Sequence, residues 1–419
     1  GHALEMVEVQ GGKFKKFVIK QFLVIGFVVG VIWALLLPEW GHDLYSIKHP
    51  HTITGWKIIP TINISIIFLI FGLTLETSEL KAAAKCYKVW IMGLVSILII
   101  TSCTAWLFIN VGFKPVEFGM GLAVFACSPT SLSQAITLVI QSYGNGAMSL
   151  LLTVVSNLLG IITTPIFVSW VLGPSGAINK LDLLVKLLVQ ILVPLIVGKS
   201  AREFVPPINR FCHHYKVPLY LFNNFQIIMI VWMTLSYSRD KLLEQELYDV
   251  ILAIMGAIGQ HFLFLVMNFI IAWAMRFPEA ERKAFVLSSS QKSLPTAAVV
   301  IEAIQPSAAY PNLNTGLMTI PCMVFYIMQL FIDSFIAASW SGKYERADEL
   351  RQKYAVQLAE LYKLDDPESS MFLHGPIVNN GHDSTAAATV TTKAYESHNM
   401  PGDDEQGLLT GVARSGSRG

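Results

Sequence analysis

Two short stretches of this 419-residue chain concentrate its polar chemistry. One is Ser128-Pro129-Thr130-Ser131; the other is Ser288-Ser289-Ser290-Gln291-Lys292-Ser293-Leu294-Pro295. Each interrupts an otherwise apolar run, at 116–140 and 284–304. Proline lacks an amide hydrogen and clashes with the preceding turn, so it suits the first position of a restarted helix. Serine ahead of it suits an N-cap. Two restarts would offer two helix N-termini, each with free amide donors and a partial positive charge. With the Lys292 cation beside them, the set suits an anion such as a carboxylate. The candidate substrate residues are therefore Lys292, Ser128, Thr130, Ser131, Ser290, Gln291 and Ser293. A structural role for Lys292 is the alternative, bonding carbonyls that the other break leaves free.

The chain around these stretches is 53% hydrophobic and 14% charged, with mean hydropathy +0.53. Soluble domains average about 45–50% and 25%. So few charges would leave large apolar patches on a soluble chain of this length, so a polytopic membrane protein is expected. Apolar runs fall at 17–37, 58–75, 89–109, 116–140, 147–172, 183–199, 218–236, 250–275, 284–304 and 317–340. Each approaches the roughly 20 residues that a bilayer span needs. A charge at mid-membrane costs about 2.5–3.5 kcal/mol, so Lys292 must face a cavity or a partner. Asp333, in the last run, is the acidic candidate, a possible partner for a proton, a lysine or a coupling ion. Glu302 and Lys186 lie near run ends, where a solvated carboxylate and a snorkelling lysine are the expectations.

Shifting the sequence by 162 residues lays the first five runs over the last five and aligns Ser128 with Ser290, Ser131 with Ser293, and Ala135 with Ala297. Five spans per half make the repeat inverted, an architecture common among secondary transporters. The expected fold class is an all-α polytopic membrane protein of ten transmembrane helices in two inverted five-helix repeats, about 17–172 and 183–340. Residues 1–16 precede it as a cytosolic segment, and 341–419 follow as a tail, a short helix at 343–362 and then disorder. Lysine and arginine in the connections favour one side fifteen to six, placing both termini in the cytosol. The chain opens on Gly1 rather than Met, as a processed N-terminus would. Asp404-Glu405-Gln406-Gly407-Leu408-Leu409 matches an acidic dileucine sorting pattern.

A net charge of +1 offers no basic excess for nucleic acid. Five scattered cysteines make no disulfide framework. There is no phosphate loop, Ser/His/Asp set or zinc signature, so no enzyme, metal centre or cofactor is expected. The expected partners are a small organic anion and membrane lipid; oligomeric state and organelle (plasma membrane, plastid envelope or endomembrane) stay open.

Six motifs carry a resemblance across residues 17–340: Cys127-Ser-Pro-Thr-Ser-Leu-Ser133, Gly144-Asn145, Ser156-Asn-Leu-Leu-Gly160, Val193-Pro-Leu-Ile-Val-Gly198, Ser290-Gln-Lys-Ser-Leu-Pro295 and Ile320-Pro-Cys322. Together they resemble the bile acid:sodium symporter (BASS) superfamily, in its SBF-like branch. The resemblance implies a panel domain (spans 1, 2, 6, 7) and a core domain holding broken, crossed spans 4 and 9. It also implies sodium ligands: Ser133 and Gln134 match a Ser-Asn pair, Ser149 and Thr153 a Ser/Thr pair, and Gln291 a glutamine. The sodium-binding glutamate of those relatives falls near Leu287 here, and Lys292 stands where they carry asparagine. Coupling to sodium, to protons or to neither is left open. The implied function is secondary transport of a small organic anion by alternating access, Na+ being the possible coupling ion. The alternative is a non-transporting membrane regulator of calcium homeostasis on the same fold. A channel is disfavoured, since no ring of like charges or filter repeat is present.

Overall fold

The computed structural model describes residues 22–47, 56–75, 83–173, 180–304 and 310–362, which are almost entirely helical. The elements are α1 (Phe22–Leu36), α2 (Pro38–Ser46), α3 (Ile58–Thr74), α4 (Tyr87–Asn110), α5 (Val116–Ala126), α6 (Gln134–Gln141) and α7 (Gly146–Leu172). There follow α8 (Leu181–Phe204), α9 (Pro206–His214), α10 (Lys216–Leu243), α11 (Leu247–Ala274), α12 (Glu279–Ser290), α13 (Leu294–Ala303) and α14 (Thr315–Tyr362). Helices α4 and α8 each contain one π-helical turn, Ser96–Ile100 and Leu188–Leu192. Residues 344–362, the described part of a separate unit, are helical. The tail beyond Tyr362, with its expected disorder and dileucine pattern, lies outside the described residues, as do 1–21.

Six of these helices are long and apolar enough to cross a membrane, or seven if α1 and α2, bent by 95°, count as one span. The runs expected at 116–140 and 284–304 are split, into α5 plus α6 and α12 plus α13. Helix α3, at 17 residues, falls just short of the usual span length. The cause is local: Ser293 and Pro295 start α13 as expected, whereas α6 starts only at Gln134, past Pro129, and Ser133 ahead of it makes no side-chain cap bond.

The helices are apolar outside and polar inside, as a lipid solvent requires. On α11 Phe262, Val266, Phe269 and Trp273 are exposed, whereas Gln260, His261, Phe264 and Asn268 are buried. Helices α1, α2, α3, α8 and α10 pack chiefly on one another, α4–α7 pack with α11 and α12, and α13 packs on α8 and α3 as well as α5. The α3/α8 crossing is a glycine contact. A Cβ on Gly72 would lie 2.3 Å from the Leu195 carbonyl, and one on Gly198 would lie 2.2 Å from that of Leu69. Backbones come this close only where both helices carry small residues. All five cysteines are free thiols.

Candidate functional site

The two helix breaks meet. Residues 127–133 are non-helical between α5 and α6, and 291–293 between α12 and α13. The Ser293 N–H donates to the Pro129 carbonyl at 2.9 Å. Ser293 caps α13, its Oγ accepting from the Thr296 N–H at 3.4 Å, and Pro295 occupies the first turn. The Thr130 hydroxyl donates to the Ser288 carbonyl, a second tie between the breaks. Ser128, Thr130, Ser131, Ser288, Ser290, Gln291, Lys292 and Ser293 are all buried. Every freed backbone group at such a place must find a protein or water partner.

Lys292 supplies one of those partnerships and makes two more bonds to α4. Its Nζ donates to the Ser128 carbonyl at 2.8 Å, to Thr101 Oγ1 at 2.8 Å and to the Ile97 carbonyl at 3.0 Å. An ammonium has three protons, so its donor capacity is met by neutral oxygens. Ile97 lies in the π-helical turn of α4, and π-turns recur at functional sites. The Lys292 backbone is gripped by Gln329 of α14, whose Oε1 accepts from its N–H at 2.9 Å and whose Nε2 donates to its carbonyl at 3.1 Å. The amide side chain thus replaces the helical bonds that the break removes. The bond to Ser128 ties Lys292 to one carbonyl of the other break.

Asp333 pairs with His261 and Gln291 rather than with Lys292. His261 Nε2 lies 2.9 Å from Asp333 Oδ1, and Gln291 Nε2 donates to Oδ2 at 2.8 Å. Asn268 donates to Ser290 Oγ at 3.1 Å and accepts from the Ser96 hydroxyl.

The candidate ion ligands fall on α6, α7 and the second break. Gln134 donates to Asn224 Oδ1 of α10 at 3.0 Å, with Ser133 Oγ 3.5 Å away. Ser149 and Ser288 share a hydroxyl bond of 2.8 Å. Asn157 donates to the Thr130 carbonyl at 3.1 Å and the Thr153 carbonyl at 2.8 Å. Ser149, Thr153 and Asn157 are spaced by four, one polar stripe along α7. Thr153 Oγ1, Asn157 Oδ1 and Gln291 Oε1 are buried with no hydrogen-bond partner among the described residues. Leu287, at the relatives' glutamate position, is also buried.

A cavity of about 280 Å³ opens beside the first break. Ser133, Thr137, Tyr220 and Asn223 supply its polar wall, Phe71, Ile136 and Leu150 its apolar wall, and Arg202 and Lys216 two cations. Of the expected site residues only Ser133 lines it. Arg202 is 7% exposed, its Nη1 donating to the Leu73 carbonyl at 3.2 Å and its Nε to Asn209 Oδ1 at 3.3 Å. Burial pushes the neighbouring Cys212 thiol up, with Arg202 pulling the other way.

Sequence reasoning missed His261, Thr101, Asn157, Asn268, Gln329 and Arg202. The first was findable, since His261 is a titratable group within an apolar run. Asn157 was findable too, as the third member of the four-residue stripe. Arg202 and Lys216 lie in the 199–217 connection between apolar runs, where sequence alone counts them only towards topology. Lys186 does not snorkel. It is 2% exposed, and its Nζ donates to the Glu302 backbone carbonyl at 3.2 Å, with Asp182 3.9 Å away.

A helical bundle with a lipid-like exterior, broken helices in its interior and a polar cavity beside them is a multi-pass membrane transport protein. The chain belongs to the SBF-like CPA transporter family (DUF4137), whose model matches residues 21–342. That membership makes it a transporter and not an enzyme. The probable sodium/metabolite cotransporter BASS4, chloroplastic, of Oryza sativa subsp. japonica is 30% identical over 342 residues, covering 79% of this chain and 78% of that protein. Its namesake in Arabidopsis thaliana is 34% identical over 283 residues, covering 65% of this chain and 64% of the relative. Sodium/bile acid cotransporter 7-B of Xenopus laevis is 25% identical over 348 residues, covering 81% and 98%.

Proposed function

We propose that this chain is a secondary active transporter of a small organic anion, working by alternating access. In this reading ten spans form two inverted repeats, α5–α6 and α12–α13 each counting as one broken span, with both termini cytosolic. Helices α1–α3, α8 and α10 are the panel, and the remaining spans are the core. The observation that carries the reading is the backbone bond from Ser293 to Pro129, which makes the two breaks one polar crossing. Broken helices at corresponding positions of inverted repeats mark substrate sites in such transporters.

The substrate group is Lys292, Ser128, Thr130, Ser131, Ser290, Gln291 and Ser293, reached from the cavity at Ser133. Arg202 and Lys216 in that cavity support an anionic substrate, because a low-dielectric wall strengthens the attraction of a cation for a carboxylate. Sodium is the coupling ion that the relatives' names support. We assign it to Ser133, Gln134, Ser149, Thr153 and Gln291, where the partnerless Thr153 Oγ1 and Gln291 Oε1 suit a hard cation.

The test is thermal stability of the purified chain against sodium and a panel of carboxylates, with Lys292→Ala and Arg202→Ala alongside. A ligand at 100 times its Kd should stabilise by about 2.7 kcal/mol. An anion-specific shift lost in either variant supports the reading. No shift from any anion or from sodium overturns it.

A further inference from the structure

Helix α9 joins α8 to α10, both of them long and apolar enough to cross a membrane. Its nine residues extend only about 14 Å, so α9 runs along one membrane surface rather than through it. At about 100° per residue, Ile208, Phe211 and Cys212 fall on one half of the helix and Arg210, His213 and His214 on the other. Cys212 is buried against the protein, whereas Phe211, Arg210, His213 and His214 are exposed. Phe204, which ends α8 just before it, is 80% exposed. Such a helix lies in the interface, its apolar side chains reaching the acyl chains and its cations held at headgroup level.

The charges at that surface favour an anion. From Lys199 to Lys216 the chain carries four cations, Lys199, Arg202, Arg210 and Lys216, and one acid, Glu203, which lies 3.1 Å from Lys199. Arg210 makes no hydrogen bond or ion pair with the described residues, and its guanidinium stands in the open. The far end of α10 is the contrast. Helix α2 packs there, His42 and Tyr45 lying 5.4 Å and 4.8 Å from the Tyr237 ring. Tyr237 is 21 residues beyond Lys216, about 31 Å along the helix and close to the thickness of a hydrocarbon core. Helix α2 also exposes an aromatic residue, Trp40, but its charged residues are Glu39 and Asp43.

We propose that α9 is a docking site for an anionic phospholipid, with Arg210 taking the headgroup phosphate and Phe204 and Phe211 lying among the acyl chains. A guanidinium offers a phosphate two parallel N–H donors, which the opposite end of α10 does not present on α2. The docked lipid stands against the cavity wall. Cys212, on the inner half of α9, lines the cavity, and Asn209 accepts from Nε of Arg202, another lining residue, at 3.3 Å. Anchoring α9 therefore fixes one wall of the cavity. The inference rests on the membrane class alone, and its failure leaves the transport reading as it stands.

The test is native mass spectrometry of the full chain in detergent, titrated with phosphatidylglycerol and, separately, with phosphatidylcholine. Each lysine or arginine near a membrane surface contributes about fivefold in affinity for an anionic lipid. The wild type should prefer phosphatidylglycerol by about fivefold or more. Arg210→Gln should lose about fivefold of that preference and melt with the wild type, since Arg210 has no protein partner to lose. Lys241→Gln, which removes an exposed cation at the far end of α10, should keep the preference. Phe211→Ser should weaken both lipids alike. An equal preference in the wild type and Arg210→Gln overturns the proposal, as does an equal loss in Arg210→Gln and Lys241→Gln, which would make net charge rather than α9 the cause. Displacement of phosphatidylglycerol by millimolar inorganic phosphate would place a free anion on Arg210 and overturns it too.

Discussion

Lys292 reaches from one helix break to the other: its Nζ donates to the Ser128 carbonyl at 2.8 Å, across 164 positions of sequence. In this structure the cation holds the crossing, with Thr101 and Ile97 taking its remaining protons. The crossing borders a cavity where Ser133 stands.

Lys292→Met should therefore destabilise the protein even without substrate. It removes a donor from three buried oxygens; the Ile97 carbonyl keeps the Thr101 hydroxyl, but the Ser128 carbonyl loses its donor, and an acceptor left unpaired costs about 1–3 kcal/mol. A fall in Tm of several degrees is expected in ligand-free thermal unfolding. An unchanged Tm would mean that the ammonium serves only a ligand.

Gly72→Ala and Gly198→Ala should each weaken the α3/α8 contact. The added methyl would lie 2.3 Å or 2.2 Å from a backbone carbonyl oxygen, which cannot move as a side-chain tip can. Overpacking of this kind typically costs about 1–3 kcal/mol. Thermal unfolding of each variant beside Gly259→Ala, where nothing lies within 4 Å, isolates the clash.

Ser293→Ala removes both the cap on α13 and the bond to Thr296 Oγ1 at 2.9 Å. Loss of an N-cap costs about 0.5–2 kcal/mol. Ser293→Thr keeps a capping hydroxyl and should recover much of that stability. Chemical denaturation of the two variants side by side measures the difference.

Arg202→Ala and Lys216→Ala should weaken binding of a carboxylate substrate by about tenfold or more, a charge-assisted bond being worth about 1.5–3 kcal/mol. Arg202→Ala should also lower Tm, because the Leu73 carbonyl and Asn209 lose a donor. Concentration dependence of the anion-induced stability shift separates affinity from folding.

The membrane class, the positions of most helices and both breaks were legible in the sequence, because each depends on neighbours along the chain. Apolar runs form helices wherever they sit, and Pro129 and Pro295 interrupt them by their own geometry. Family membership followed from the motifs around those breaks. What the tertiary structure decided is who meets whom. Two of the three acceptors of Lys292 are backbone carbonyls, which carry no residue-type signature. The third, Thr101, depends on the rotation of α4 about its axis and on the π-turn within it. His261 reaches Asp333 across 72 positions only because α11 and α14 turn these faces towards each other. Likewise Arg202 and Lys216, read along the chain as loop charges, become cavity walls once α8 and α10 pack around the first break. Local sequence determines which segments are helical or broken; the angle and rotation at which helices cross determine which polar groups share a site.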